Sequence, residues 1–193
     1  MSDDVLPGAV QRLAAVTYID YADCDVRYTT EPAPDELVSR LHLVAVTAHG
    51  DVVVSRSVQG WRVLPGGTRE PGEALIELAR RELIEEAGAR LLAGIAPFSS
   101  FVSHSRTPAP YRPHLPHPRA YWLHAVAQVE VVGPPTSPAD GEQITDVLQL
   151  PPREAVDYIA VHDPIHADVL AHAIALGLLP SSDPVRGRTS GPR

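Results

Sequence analysis

The sequence contains no lysine: all 16 basic residues among its 193 are arginines. It also has a single cysteine, Cys24, and no apolar run approaching the roughly 20 residues that a bilayer-spanning helix requires. One cysteine excludes an intrachain disulfide, and the short apolar runs exclude a membrane helix. Arginines are outnumbered by 24 acidic residues, leaving a net charge of −8. A broad basic surface for a nucleic-acid polymer or an anionic membrane is therefore not expected. The N-terminus, Met1-Ser2-Asp3-Asp4, is acidic where a signal peptide would be basic, so the expected location is cytoplasmic. An all-arginine set fits a GC-rich genome and equally fits two-pronged binding of phosphate, and composition alone does not separate the two.

What is present is the balance of a folded domain, with 44% apolar and 21% charged residues. A chain of this length has room for one core and some extensions. Residues 1–40 mix a weakly apolar run with an acidic, proline-containing stretch and read as an appended segment. Leu41 to Val46 and Asp51 to Arg56 are Val-rich runs separated by Ala48-His49-Gly50, the pattern of a β-hairpin. Trp61 to Leu64 gives a further short strand, Pro65-Gly66-Gly67 a loop, and Glu73 to Ala87 a helix that Gly88 ends. Beyond it lie a strand in 91–102, a proline- and histidine-rich segment in 104–118, an alternating strand in 120–132 and an acidic loop holding Asp140 and Glu142. A strand in 144–150 and helices near 152–159 and 164–178 complete a domain expected over 41–179, and the polar tail 180–193 is expected to be mobile.

The chemistry is concentrated in Gly67 to Ala89, GTREPGEALIELARRELIEEAGA. At about 100° per residue, Glu82, Glu85 and Glu86 stand at i, i+3 and i+4 and share one side of the helix. Leu75, Ala79 and Leu83 lie on or beside that side, which puts the carboxylates at the rim of the core. Three clustered negative charges repel unless a cation joins them. Carboxylate oxygens suit Mg²⁺ or Mn²⁺, with phosphate completing the coordination shell. Arg81, four residues from both Glu77 and Glu85, is placed to orient a carboxylate, and Gly67 to offer its backbone carbonyl. An ordinary amphipathic helix with a solvated acidic stripe is the competing interpretation of the same spacing.

The full pattern resembles the Nudix box: Gly67, five residues, Glu73, seven residues, then Arg81, Glu82, Leu83, Glu85, Glu86, Gly88 and Ala89, with every spacing kept. Only Ala89 departs from it, being smaller than the Ile, Leu or Val usual there. The resemblance covers 23 of 193 residues and seven polar or glycine positions. It implies an α/β/α sandwich around a central mixed β-sheet, and a Mg²⁺-dependent hydrolase cleaving the pyrophosphate linkage of a small nucleoside diphosphate derivative. By the same resemblance Gly67, Glu82, Glu85 and Glu86 are metal ligands, Arg81 and Glu73 orienting residues, and Glu82 the base that activates water. In this family the base can also come from a distant loop, which here makes Glu142 or Asp140 the alternative.

Weaker candidates surround the box. Arg56 and Arg62 flank the preceding loop, and Arg106, Tyr111 and Arg112 sit in the proline-rich segment; these five are the candidate substrate contacts. His104, His114 and His117 match no standard metal-ligand spacing. Of Tyr121 and Trp122, alternating in one strand, one is expected in the core. Cys24 is expected to be buried. A homodimer is compatible with the sequence. The rival functional class is a Nudix-like domain that binds a nucleotide without hydrolysing it; an isomerase on the same platform lacks a supporting cysteine near the box.

Overall fold

The computed structural model describes residues 5–138 and 141–179; Asp140 and the tail 180–193 lie outside the described residues. In chain order the first elements are α1 (Val5–Leu13), β1 (Thr17–Ile19), β2 (Cys24–Thr29), β3 (Val38–Val46), β4 (Val52–Ser57), β5 (Arg62–Val63) and β6 (Gly66–Thr68). Then come α2 (Leu75–Ala87), β7 (Ala89–Ser105), β8 (Arg119–Val131), β9 (Ile144–Leu150), α3 (Pro152–Ala160) and α4 (Pro164–Ala175).

The strands form one mixed sheet in the order β1-β2-β7-β8-β3-β4-β5, with β6 paired to β3 and β9 to β4. Only β3 and β8 run parallel, from Val38 opposite Tyr121 to Val46 opposite Gln128. The β3–β4 hairpin expected around His49 is present, with Ala45 opposite Val53. The described part of the segment before β3 is more than an appendage: β1 and β2 continue the sheet, Cys24 to Thr29 pairing with Ser105 to Ser100 of β7. Acidic residues at Asp20, Asp23 and Asp25 interrupt the apolar alternation there, which hides the strands from a pattern reading.

Period-two alternation sends successive side chains to opposite faces, and both faces are covered. Leu41, Leu43, Ala45, Val53, Leu123, Ala125 and Ala127 pack against Leu78, Ala79, Leu83 and Ala87 of α2. Val44, Val46, Val52 and Val54 pack on the other side against Ala155 and Ile159 of α3 and Ala167, Leu170 and Ala173 of α4. The architecture is therefore the expected α/β/α sandwich. A third cluster joins Leu13 of α1 and Val169 of α4 to Cys24, Val26, Phe101 and Trp122. Tyr121 and Trp122 are both buried, on opposite faces, where the sequence placed only one of them inside.

The helix that carries the box is defined at both ends. Glu77 accepts from the Ala74 N–H at 3.2 Å, one arm of a capping box whose other arm Ala74 has no oxygen to supply. Gly88 closes α2 at φ 55°, and a Cβ there would stand 2.0 Å from the Gly133 carbonyl oxygen. Glycine is required both for the left-handed conformation and for that approach. The carbonyls of Ile84 and Glu85 accept from Thr136 and Ser137, so the segment leading to the acidic loop is tied to the end of the box helix.

Candidate active site

Helical spacing places Leu78, Ala79, Glu82, Leu83, Glu86 and Ala87 on the buried side of α2. Glu82 and Glu86 are only 5% and 8% exposed, at the edge where the core meets a cleft of about 1060 Å³. The first strand of the box approaches them from the opposite wall. Gly66, paired with His42 of β3, donates its N–H to Glu86 Oε2 at 3.0 Å. A Cβ on Gly67 would meet Glu82 Oε1 at 2.2 Å, so any larger residue there displaces that carboxylate.

Arg81 binds the remainder of the box. Its Nε and Nη2 donate to Glu73 at 2.8 and 3.1 Å, Nη1 to Glu82 at 2.8 Å and Glu85 at 3.3 Å, and Nη2 also to the Thr68 carbonyl at 3.0 Å. A planar guanidinium with five donors matches this fork of acceptors. Burial alone would raise the Glu73 pKa, but the hydrogen bonds from Arg81 and from the Glu70 N–H bring it below the usual value. Glu73 is thus an anion held against the Arg81 guanidinium.

The inner carboxyls behave differently. Burial pushes Glu82 up to about 7 against the opposing attraction of Arg81, and pushes Glu86 up to about 8 against the Gly66 hydrogen bond, with Glu82, Glu142 and Glu85 adding repulsion. Glu142 also lines the cleft, and its Oε1 is buried with no hydrogen-bond partner among the described residues. Of the four carboxylates Glu82, Glu85, Glu86 and Glu142, Arg81 pairs with Glu82 and Glu85. The donor set is hard oxygen, partly dehydrated and in excess of cationic partners, and it fits a divalent ion of the Mg²⁺ or Mn²⁺ type.

The substrate candidates divide. Arg62, Tyr111 and Arg112 line the cleft. Arg62 lies 4.3 Å over the Tyr158 ring, and Arg112 pairs with Glu70 at 2.6 Å. Arg56 and Arg106 do not line it. Arg56 lies beside Asp146 on the surface of β4, and Arg106 grips Asp25 with two hydrogen bonds while covering the Tyr18 ring. His114 and His117 are held by the Arg69 and Thr107 carbonyls, and His104 is exposed; none of the three lines the cleft.

Sequence reasoning missed the opposite wall. Arg40 lies over the Trp122 ring at 4.9 Å and near Tyr21, and Trp61 is half exposed at the rim. Deeper, His42 and His166 line the same cleft, with His124 buried behind them. Burial, followed by repulsion from His166, holds the imidazoles of His42 and His124 well below their ordinary value, so they are neutral. The signal was available in β3. Arg40 and His42 share the face of the core residues Val44 and Val46, and polar residues at alternate positions of an otherwise apolar strand mark where that face opens to solvent.

The family model for the NUDIX domain matches residues 24–173. Comparison with curated proteins yields no match. Solved structures with a similar fold include a variant of the Bacillus subtilis pyrophosphohydrolase BsRppH, 18% identical over 67% of this chain and 73% of that one, with a TM-score of 0.49. A NUDIX hydrolase from Nitrosomonas europaea is 14% identical over 75% and 97% of the two chains, with a TM-score of 0.49. A MutT structure, described jointly for Aliivibrio salmonicida and Vibrio cholerae, is 15% identical over 69% and 94%, with a TM-score of 0.45. No helix among the described residues is long and apolar enough to cross a membrane. With the family model matched over most of its length and every polar position of the box in place, the chain belongs to the NUDIX family and is, at that level, a pyrophosphohydrolase acting on phosphoric anhydrides.

Proposed function

We propose that the chain is a Mg²⁺-dependent hydrolase of a nucleoside diphosphate linked to another moiety: a nucleoside triphosphate, a nucleotide sugar, ADP-ribose or a relative of these. The observation that carries this reading is the burial of Glu82 and Glu86 opposite Gly67 and Gly66, where Arg81 pairs with Glu82 and no salt bridge reaches Glu86 among the described residues. Buried like charges are costly unless a cation joins them, and a phosphate-bound divalent ion supplies it. Glu82, Glu85, Glu86 and the Gly67 carbonyl are the groups that would hold the ion; its chemistry there is neutralisation of the diphosphate and a lowered pKa for attacking water.

The chain's own residues account for the other requirements. Arg81, anchored by Glu73, fixes the direction of Glu82 and Glu85. Arg40, Arg62 and Arg112 supply positive charge along a cleft whose box side is acidic, which suits a bound polyphosphate. Trp61 and Tyr111, both exposed, offer ring faces to a base or sugar. Glu82 is a further ligand or, one helical turn from Glu85 and Glu86, the base that takes the proton from the attacking water. A second assignment has its own support: Glu142 Oε1 has no donor, whereas Arg81 already occupies Glu82 Oε1.

The test is a screen of the full-length chain with Mg²⁺ against nucleoside triphosphates, ADP-ribose, nucleotide sugars and dinucleoside polyphosphates. The expected result is metal-dependent cleavage of a P–O–P bond in at least one class, with no attack on simple phosphate monoesters. Nucleotide binding without cleavage of any anhydride supports the non-catalytic binding domain instead.

A further inference from the structure

Three histidines from three separate elements meet at the inner end of the cleft: His42 on β3, His124 on β8 and His166 on α4. One ring nitrogen from each lies within 4.8 Å of the other two. The ring centroids are 4.3 Å apart for His42 and His166, 5.7 Å for His124 and His166, and 6.2 Å for His42 and His124. His42 Nδ1, His124 Nε2 and His166 Nε2 are buried and have no hydrogen-bond partner among the described residues. Unsatisfied buried polar atoms are rare, and three in one place call for a ligand.

The remote nitrogens of His166 and His124 are held. His166 Nδ1 pairs with Asp163 Oδ2 at 2.5 Å, and Asp163 is fixed in turn as the N-cap of α4 through the His166 N–H at 3.0 Å. His124 Nδ1 pairs with Ser99 Oγ at 3.0 Å. The Asp163 carboxylate only accepts, so His166 Nδ1 carries the proton and Nε2 presents a lone pair, as in metal-ligating histidines; the Ser99 hydroxyl can accept from His124 Nδ1, which allows the same arrangement there.

We propose that His42, His124 and His166 form a three-histidine site for a borderline first-row divalent ion, Zn²⁺ being the best fit, open on its cleft side. Imidazole nitrogen suits Zn²⁺, whereas Mg²⁺ takes oxygen, so the cleft offers two chemically distinct cation sites: the carboxylates on α2 and the histidines on the opposite face of the sheet. Three protein ligands with a free position toward a cleft are the pattern of an open zinc site rather than a closed structural one. Tetrahedral bonds of about 2.0 Å set nitrogens about 3.3 Å apart, which small side-chain rotations from the present spacing reach. An anionic group or water from the cleft completes the coordination. The site does not depend on what the carboxylates hydrolyse.

The experiment uses the full-length chain purified without a histidine tag, stripped by chelator and kept in excess Mg²⁺, then titrated with Co²⁺ and with Zn²⁺. One equivalent of Co²⁺ is expected, with the strong visible absorption of a low-coordinate nitrogen site, displaced stoichiometrically by Zn²⁺. Affinity should fall about a hundredfold or more in H42N and H166N, about 10- to 100-fold in D163N, and remain unchanged in E86Q. Circular dichroism reports whether each variant folds. The wild-type spectrum decides the matter on its own if the variants do not: absence of a stoichiometric low-coordinate cobalt spectrum overturns the proposal. Retained affinity in folded H42N and H166N, or a loss in E86Q equal to theirs, overturns it as well.

Discussion

The Gly66 N–H donates to Glu86 Oε2 across 3.0 Å, tying the last carboxylate of α2 to the strand that pairs with β3. The two glycines at this junction are constrained differently. A Cβ at Gly66 would meet the Leu41 carbonyl oxygen at 2.2 Å, which is fixed backbone, whereas one at Gly67 would meet the movable carboxylate of Glu82. Gly66→Ala should therefore cost about 2 kcal/mol or more in stability. Gly67→Ala should fold with a loss below about 1 kcal/mol and lose about 10- to 100-fold in kcat, because Glu82 is displaced. Thermal melts and kcat for the two variants check this; wild-type kcat in Gly67→Ala means that Glu82 is not held where the structure has it.

Much of this site was legible because it is local. Glu73, Arg81, Glu82, Glu85 and Glu86 lie within one turn-and-helix unit, so sequence spacing fixes their relative directions. The cleft's other wall is not local: the parallel β3–β8 pairing sets Arg40 beside Trp122 and His42 beside His124, and the packing of α4 on the sheet brings His166 against them. The proline-rich segment drew attention because its arginines and histidines are close in sequence. Arg106 nonetheless turns to Asp25, and His114 and His117 turn to backbone carbonyls.

A pH dependence follows from the raised carboxyls. In the metal-free protein Glu82 at about 7 and Glu86 at about 8 hold protons that the unfolded chain releases near 4.5. Their contribution to stability is full below about 4.5 and is lost as pH rises through 7 and 8. Between pH 7 and 8.5, above the range of the histidines, the loss should be about 1 to 2 kcal/mol. It should vanish in the Glu82→Gln/Glu86→Gln double variant, and added Mg²⁺ should stabilise more at pH 8.5 than at pH 7. Denaturant melts with chelator and with Mg²⁺ measure this; identical slopes in wild type and double variant contradict it.

Tyr111 and Arg112 border the cleft while Arg106 does not. Alanine at both cleft positions should raise KM several-fold for the best substrate with little change in kcat, whereas Arg106→Ala should leave both constants within about twofold. Steady-state kinetics on the two variants separates them. A larger effect from Arg106 than from the Tyr111/Arg112 pair would place the substrate elsewhere.

Glu82 and Glu142 make different claims on the proton. Loss of a general base costs about 10² to 10⁴ in rate. The expectation is that Glu82→Gln loses rate in that range and Glu142→Gln only a few-fold, at saturating Mg²⁺ with metal binding measured separately. The reverse order assigns the base to the loop, and the unpartnered Glu142 Oε1 is then its structural sign.

The measurement closest to the central claim is kcat of Glu86→Gln against wild type on an anhydride substrate across a Mg²⁺ titration. The substitution keeps size and the acceptor for the Gly66 N–H while removing the charge a cation needs. The account predicts a folded protein with weakened Mg²⁺ dependence and kcat reduced by about a hundredfold or more. Near-normal turnover with an unchanged Mg²⁺ requirement would contradict it.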